Sequence, residues 1–228
     1  MRKSSIVGYT TLDVECGDKL VASSFLMTSG DVSDLTQIKV IDAAGYGDVN
    51  LQFINSNGKW GDDYYWFDDD NGADGEGWYD LTGAEKLDSR ELQIGEAFYM
   101  TSAEVDVQLQ CAGQVPAKAV ETTATMAMGD AMIGNPTPCN VDLADVVVNG
   151  ASGYGDANIQ FVGSNGKWAD DYYWFDDDNG SDGAGWYDLT GVEKLEPENV
   201  VLAPGEAFYA VSGEADVEFV FPVPGAAK

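Results

Sequence analysis

An acidic, glycine-rich segment occurs twice in this chain and offers oxygen ligands for a metal ion. Carboxylate and amide oxygens are the ligands that calcium prefers, and glycine allows backbone carbonyls to join them. Several carboxylates in one short loop repel one another, and a divalent cation would relieve that repulsion. The sequence therefore predicts calcium as a cofactor, with these candidate ligands: Asp68, Asp70, Asn71, Asp74, Asp176, Asp178, Asn179 and Asp182.

The calcium hypothesis has an alternative. The segment does not have the D-x-D-x-D-G spacing of an EF-hand loop, and no glutamate closes it in the position that a bidentate ligand would take. Glu76 is replaced by Ala184 in the second copy, so this carboxylate is not needed in both. A solvated acidic turn without metal explains the same residues.

Aromatic side chains crowd the hairpin around each acidic segment. Alternation along a strand sends Tyr64 and Trp66 to one face and Tyr65 and Phe67 to the other, so one set is expected in the core. An exposed aromatic row would let sugar rings stack, with carboxylate and amide groups accepting hydroxyl hydrogen bonds. A second small core over the loop is the alternative. The candidate ligand-binding residues are Trp60, Tyr64, Trp66, Trp78, Tyr79, Trp168, Tyr172, Trp174, Trp186 and Tyr187.

The composition excludes several classes of catalysis. The chain has no histidine, which removes Ser-His-Asp and Cys-His nucleophiles and the usual zinc, copper and iron sites. Three cysteines without a CxxC spacing give no metal-binding motif. Carboxylates are plentiful, but a glycosidase needs one pair flanking a specific cleft, and nothing in the sequence selects a pair. We therefore predict a protein that is not an enzyme, with glycoside hydrolysis as the remote alternative.

The chain contains two copies of one repeated sequence unit. Residues 45–87 and 153–195 differ at eight of 43 aligned positions, and none of the eight is an aromatic residue or an aspartate. The same match extends, more weakly, upstream to Thr10 and Thr122 and downstream to Tyr99 and Tyr209. We predict one repeat unit over residues 1–112, a linker over 113–118 and a second unit over 119–228.

Strands must position these residues. Apolar and polar residues alternate in segments 12–16, 49–53 and 105–111, and no segment shows a helical period. The predicted fold class is all-β, with two tandem homologous antiparallel units that are sandwich-like or barrel-like.

The cysteines follow the same register. Cys16 and Cys111 are expected on the inward face of the first and last strands of the first unit. They are interpreted as small buried hydrophobic residues, or alternatively as a disulfide that ties the two ends of the unit. Cys139 has no partner in its own unit.

Charge limits the partners. With 40 acidic and 11 basic residues the net charge is −29, which repels phosphate backbones and anionic membrane surfaces. No apolar run approaches the length of a membrane-spanning helix. We predict no nucleic-acid partner and no membrane insertion. The acidic, aromatic and glycine-rich composition favours a secreted or cell-surface location.

Short motifs give a resemblance. Ile6-Val7-Gly8-Tyr9 opens the first unit, and Pro204-Gly205-Glu206-Ala207-Phe208-Tyr209 precedes the last strand of the second. This frame is similar to repeats of about 100 residues in uncharacterised secreted bacterial β-rich proteins. Ile94 stands in place of the proline in the first copy, and the second copy lacks the opening motif. The resemblance implies export and a surface role, and it brings no catalytic residues.

Two functions follow as expectations. Two similar units present nearly the same surface twice, and a heterologous contact between them would continue into a filament or lattice. The first expectation is therefore a calcium-stabilised extracellular structural subunit whose partner is a second copy of itself. The alternative is a carbohydrate-binding module or adhesin that uses the aromatic hairpins.

Overall fold

A computed structural model describes residues 6–23, 32–43, 48–55, 57–68, 74–83, 85–115, 121–151, 157–163, 165–176, 182–190 and 193–222. Within these ranges the chain forms strands and two short 3-10 turns, and all strand pairs are antiparallel. The prediction of an antiparallel all-β protein is confirmed.

The strands of the first unit form a three-stranded sheet, a five-stranded sheet and a two-stranded ribbon. The three-stranded sheet has the order β1 (Ile6–Val14), β10 (Val107–Val115), β4 (Lys39–Ile41). The five-stranded sheet has the order β2 (Gly17–Ala22), β9 (Ala97–Ser102), β5 (Val49–Ile54), β6 (Trp60–Phe67), β7 (Gly77–Asp80). The ribbon pairs β3 (Val32–Asp34) with β8 (Glu91–Gln93).

The second unit repeats this topology. Its three-stranded sheet has the order β11 (Thr122–Met126), β20 (Val217–Phe221), β14 (Val147–Asn149). Its five-stranded sheet has the order β12 (Gly129–Gly134), β19 (Ala207–Ser212), β15 (Asn158–Val162), β16 (Trp168–Phe175), β17 (Gly185–Asp188). Its ribbon pairs β13 (Val141–Asp142) with β18 (Val201–Leu202).

The antiparallel sheets are arranged as a four-blade propeller. This corrects the finer prediction of two tandem sandwich-like or barrel-like units. Alternation along a strand determines which side chains face a core, but it does not determine how separate sheets are placed around one another.

Each unit nevertheless has its own hydrophobic core between its three-stranded and five-stranded sheets. In the first unit Leu109 and Cys111 of β10 belong to the same buried cluster as Leu51 and Phe53 of β5. The pattern of β5 alternates strictly between buried and half-buried residues, as the sequence predicts. Full burial of an aliphatic or aromatic side chain contributes about 1.5–3 kcal/mol, so this core supplies much of the stability of the unit.

A third cluster joins the two units. Leu20, Ala22 and Ala97 of the first five-stranded sheet pack against Met132 and Ala207 of the second. Small residues are required here, because a Cβ added at Gly134 would lie 2.1 Å from the Cβ of Ala22.

The contact between the units is reciprocal. The amide of Ala22 donates to the carbonyl of Gly205 at 2.8 Å, and the amide of the equivalent Gly134 donates to the carbonyl of Gly95 at 2.9 Å. Because the same pair of positions is used in both directions, the contact has the isologous form of a two-fold dimer.

Two details of the linker and cysteines differ from expectation. Residues 113–115 belong to strand β10 and pair with β1, and residues 116–118 lie outside the described residues. Cys111 is buried as predicted, but Cys16 is exposed at the corner between β1 and β2. The three cysteines are free, so the alternative of a Cys16–Cys111 disulfide is wrong.

Candidate functional site

The described ends of the acidic loops are held by protein groups. The amide of Asp74 donates to the hydroxyl of Tyr79 at 2.8 Å, and that hydroxyl donates to the carbonyl of Gly75 at 2.8 Å. The ammonium of Lys86 donates to the carbonyl of Asp74 at 3.1 Å. The second copy repeats these bonds around Tyr187 and Lys194. Each loop therefore has a tyrosine anchor and a lysine cation at its end.

The metal prediction can be followed at only half of its residues. Asp70, Asn71, Asp178 and Asn179 lie outside the described residues, whereas Asp68, Asp74, Asp176 and Asp182 lie within them. Within the described part of the chain, no group of three or more acidic or cysteine side chains is arranged to hold a metal ion. Calcium binding by the complete loops stays a prediction.

Six of the ten candidate binding aromatics are buried, so a ligand does not reach their rings. They are Trp66, Trp78, Tyr79, Trp174, Trp186 and Tyr187. This corrects the idea of an exposed row, because most of these aromatic side chains are buried. The alternative of a second small core describes Tyr79 and Tyr187, which pack edge-to-face on Phe67 and Phe175.

The buried indoles also connect the hairpin to the rest of the unit. The Nε1 of Trp78 donates to the carbonyl of Ile38 at 2.8 Å, and the Nε1 of Trp186 donates to the carbonyl of Val146 at 2.8 Å. Both carbonyls directly follow the 3-10 turns Leu35–Gln37 and Leu143–Asp145. A buried indole needs such a partner, so these two tryptophans are structural.

Trp60 and Trp168 are the exposed members of the set, at 49% and 46% exposure. A β-bulge produces this exposure. In the β15–β16 pair the register shifts between Gln160 and Phe161, so that Trp168 pairs with Val162, which packs against the cluster between the units and not in the core of its own unit. An extra residue in one strand reverses the inward and outward alternation beyond it, so each bulge turns a tryptophan outward. The first unit has the same shift at Gln52.

An open groove of about 410 Å³ lies beside Trp168 on the second five-stranded sheet. Its lining combines the half-exposed indole and the 57% exposed Leu189 with polar groups of Gln160, Asp171 and Asp188. Tyr172, which also lines it, packs against the core of the unit. The edge of Tyr209 supports the Trp168 ring, with the ring centroids 5.4 Å apart.

A smaller depression of about 130 Å³ adjoins this groove and shares Gln160 and Asp171 with it. Its other lining residues are Asn158, Ile159, Tyr173, Tyr209 and Val211. Two of its oxygens are shielded from solvent and have no hydrogen-bond partner in the structure, namely Oδ1 of Asn158 and Oδ1 of Asp171. Across the described residues such orphaned side-chain atoms are few, and they call for a physical explanation.

Tyr99 and Tyr209 pack against the cluster between the two units, and both have raised pKa values. Burial, followed by a hydrogen bond to Asp130 and the charge of that carboxylate, raises the pKa of Tyr209 to about 12. Burial and Asp18 raise the pKa of the equivalent Tyr99 to about 12 in the same way. Both phenols therefore stay neutral hydrogen-bond donors at any physiological pH.

The first unit carries an equivalent surface. Trp60 packs edge-to-face on Tyr99 at 5.8 Å, and Leu81 is 57% exposed, as Leu189 is. The two surfaces differ at Leu51, where the second unit has Ile159, at Gly61, where it has Ala169, and at Thr101, where it has Val211. The hydroxyl of Thr101 donates to Asp18 at 2.8 Å, which a valine cannot do.

Sequence reasoning missed most of the polar lining. It selected Trp168 and Tyr172, but not Asn158, Gln160, Asp171 or Tyr209. The signal that could have found them is a residue that is exposed yet identical in the two copies. Core packing explains why a buried aromatic residue is identical in both copies, but it does not explain this for an exposed one. Asp171 and Trp168 both lie in the nearly invariant block.

Comparisons with protein-family models, curated proteins and solved structures found no match. Among the described residues, no helix is long and apolar enough to cross a membrane.

Proposed function

We propose that this protein is a non-enzymatic carbohydrate-binding module that acts outside the cell. The observation that carries the proposal is the groove at Trp168, in which an exposed indole and an exposed leucine stand beside two carboxylates and a carboxamide. Sugar rings have apolar faces that stack on indoles and hydroxyl edges that donate to carboxylate and amide oxygens. A groove with both kinds of surface suits such a ligand.

The near-identity of the two copies supports this proposal. Trp60 and Trp168 expose nearly half of their surface, so they contribute little to the core, yet the block that contains them is almost unchanged. Exposed aromatic residues that a core does not require are typical of binding surfaces.

Self-assembly by continuing the contact between the units has less support. That contact is reciprocal, with Ala22 and Gly205 on one side and Gly134 and Gly95 on the other. An isologous contact closes on itself, so both copies are used within one chain and none is left to extend a filament.

The test is retention of the full chain on a panel of insoluble polysaccharides, together with tryptophan fluorescence during titration with soluble oligosaccharides. We expect retention on at least one polysaccharide and a fluorescence change with its oligomers. The double variant Trp60→Ala/Trp168→Ala should lose both while keeping its melting temperature, since exposed substitutions change stability by roughly 0.5 kcal/mol or less.

Tyr9→Ala is the matched control, because Tyr9 is a 74% exposed aromatic residue on the three-stranded sheet of the first unit. It should bind like the parent chain. Equal binding by the double variant and the control would refute the proposal. Release of reducing sugar from a bound polysaccharide would show that the protein is an enzyme instead.

A further inference from the structure

We propose that this protein joins two polysaccharide strands, one bound at the surface around Trp60 and the other at the surface around Trp168. The inference rests on the proposed carbohydrate-binding function and specifies how that function is used. The protein is a bivalent cross-linker and not a module that lies along a single strand.

Both surfaces belong to the outer faces of the five-stranded sheets. Along β9, Phe98 and Met100 face the core of the first unit, whereas Tyr99 between them faces the cluster that joins the units. Trp60 lies on the same outer face as Tyr99, because it packs on that ring and pairs with Ile54 of the same cluster. The second unit repeats this arrangement around Trp168.

The two outer faces pack on each other over only part of their area. Strand β2 contacts β12, β19 and β15 of the other unit, and β12 contacts β9 and β5 in return. Trp60 and Trp168 lie on β6 and β16, further along the strand order, and expose nearly half of their surface. Two faces that pack on each other point in opposite directions, so the exposed parts open on opposite sides of the molecule.

The two units are related by an approximate two-fold rotation. The bridge between Val21 and Glu206 is matched by the bridge between Ile133 and Glu96, in which the same two positions have exchanged units. A polysaccharide strand is directional, because its two ends are chemically different. A strand that crossed both surfaces in the same way would require a translation along its length, which a two-fold rotation does not contain. Two separate strands meet no such restriction.

The side chains of the two surfaces suit bivalent use. Trp60 and Trp168 are 49% and 46% exposed, and Leu81 and Leu189 are both 57% exposed. Because both surfaces present the same exposed indole and leucine, they are expected to take the same class of sugar. Cross-linking requires two sites of similar strength, since a strand held at a weak second site would dissociate.

The experiment measures the clumping of polysaccharide particles by the full chain. Suspensions of microcrystalline cellulose, chitin, insoluble xylan and starch granules are mixed with increasing amounts of protein in about 0.15 M salt, where charges are screened beyond about 8 Å. Sedimentation measures retention of the protein, and laser diffraction measures particle size. We expect particles that retain the protein to become larger. Their size should fall again at saturating protein, because each molecule then finds only one free strand.

Two single-site variants test whether both surfaces are needed. Trp60→Ala and Trp168→Ala should each still be retained through the remaining surface, but they should no longer enlarge the particles. Both should melt with the parent chain, as variants at exposed positions do. Tyr9→Ala is the matched control, because Tyr9 is an exposed aromatic residue on the three-stranded sheet, and it should clump the particles as the parent does.

The outcomes separate this inference from the function on which it rests. Retention of the parent chain without any increase in particle size would overturn the cross-linking and leave carbohydrate binding standing. Enlargement of the particles by either single-site variant would also overturn it, because some contact other than the two surfaces would then join the strands. Retention on none of the four materials would overturn both proposals.

Discussion

Replacing the buried Trp186 by phenylalanine should distinguish the tryptophans that stabilise the fold from the half-exposed ones. The side chain is 1% exposed and its Nε1 donates to the carbonyl of the fully buried Val146 at 2.8 Å. Phenylalanine cannot donate, so that carbonyl loses its partner at a cost of about 1–3 kcal/mol. The space vacated by the smaller ring adds about 1 kcal/mol.

The expected loss is therefore about 2–4 kcal/mol, which for a chain of this size lowers the melting temperature by about 4–16 °C. Calorimetry or circular dichroism during heating measures it. Trp78→Phe should lose the same amount, because Trp78 is also 1% exposed and donates to the carbonyl of Ile38 at the same distance.

Trp168→Phe is the matched control, since it makes the same change at a half-exposed position. It should leave the melting temperature within about 2 °C of the parent. The reasoning is refuted if Trp186→Phe melts with the parent chain, or if Trp168→Phe loses as much stability as Trp186→Phe.

Three further predictions concern cysteine, tyrosine and metal. Burial raises the pKa of Cys111 to about 12, so this thiol should not react with a thiol reagent in the folded protein, whereas the exposed Cys16 should react. After unfolding, Cys111 should react as well. The pKa of Tyr209 is raised to about 12 in the folded state from an ordinary value of 10.0, so its stabilising effect is complete below pH 10 and is lost as the pH rises from 10 towards 12. Tyr209→Phe should flatten the fall of the melting temperature in that range, and an unchanged profile would contradict the assignment. If the complete acidic loops bind calcium, a concentration 100-fold above Kd stabilises the fold by about 2.7 kcal/mol, so a chelator should lower the melting temperature by several degrees, and an equal melting temperature with and without chelator would exclude strong sites.

The repeat and the strands could be predicted because they depend on local patterns. Alternation of apolar and polar residues in β5 and β10 predicts the strands and their buried faces. The sequence repeat predicts that the two units have the same strand order, as they do. The blade-like arrangement of the sheets could not be predicted, because it depends on contacts between sheets such as that of Gly134 with Ala22.

The candidate site was predicted only in part, for an identifiable reason. Simple alternation from Tyr64 assigns Trp60 to the inner face, but the bulge opposite Gln52 reverses the alternation and turns Trp60 outward. A bulge is a property of the strand pair and leaves no clear signal in either strand alone. The buried Trp78 was mistaken for a binding residue because its partner, the carbonyl of Ile38, is 40 positions away in the sequence.

The reciprocal contact between the units has a consequence for how the two surfaces around Trp60 and Trp168 can change. In a dimer of identical chains, every substitution would appear in both surfaces at once. Here one chain encodes both halves, so each surface can mutate alone while Gly95, Gly134 and Gly205 keep the halves joined. The exchange of Thr101 for Val211 already gives them different polar groups. The duplication thus lets the exposed side chains of one surface change while those of the other stay the same.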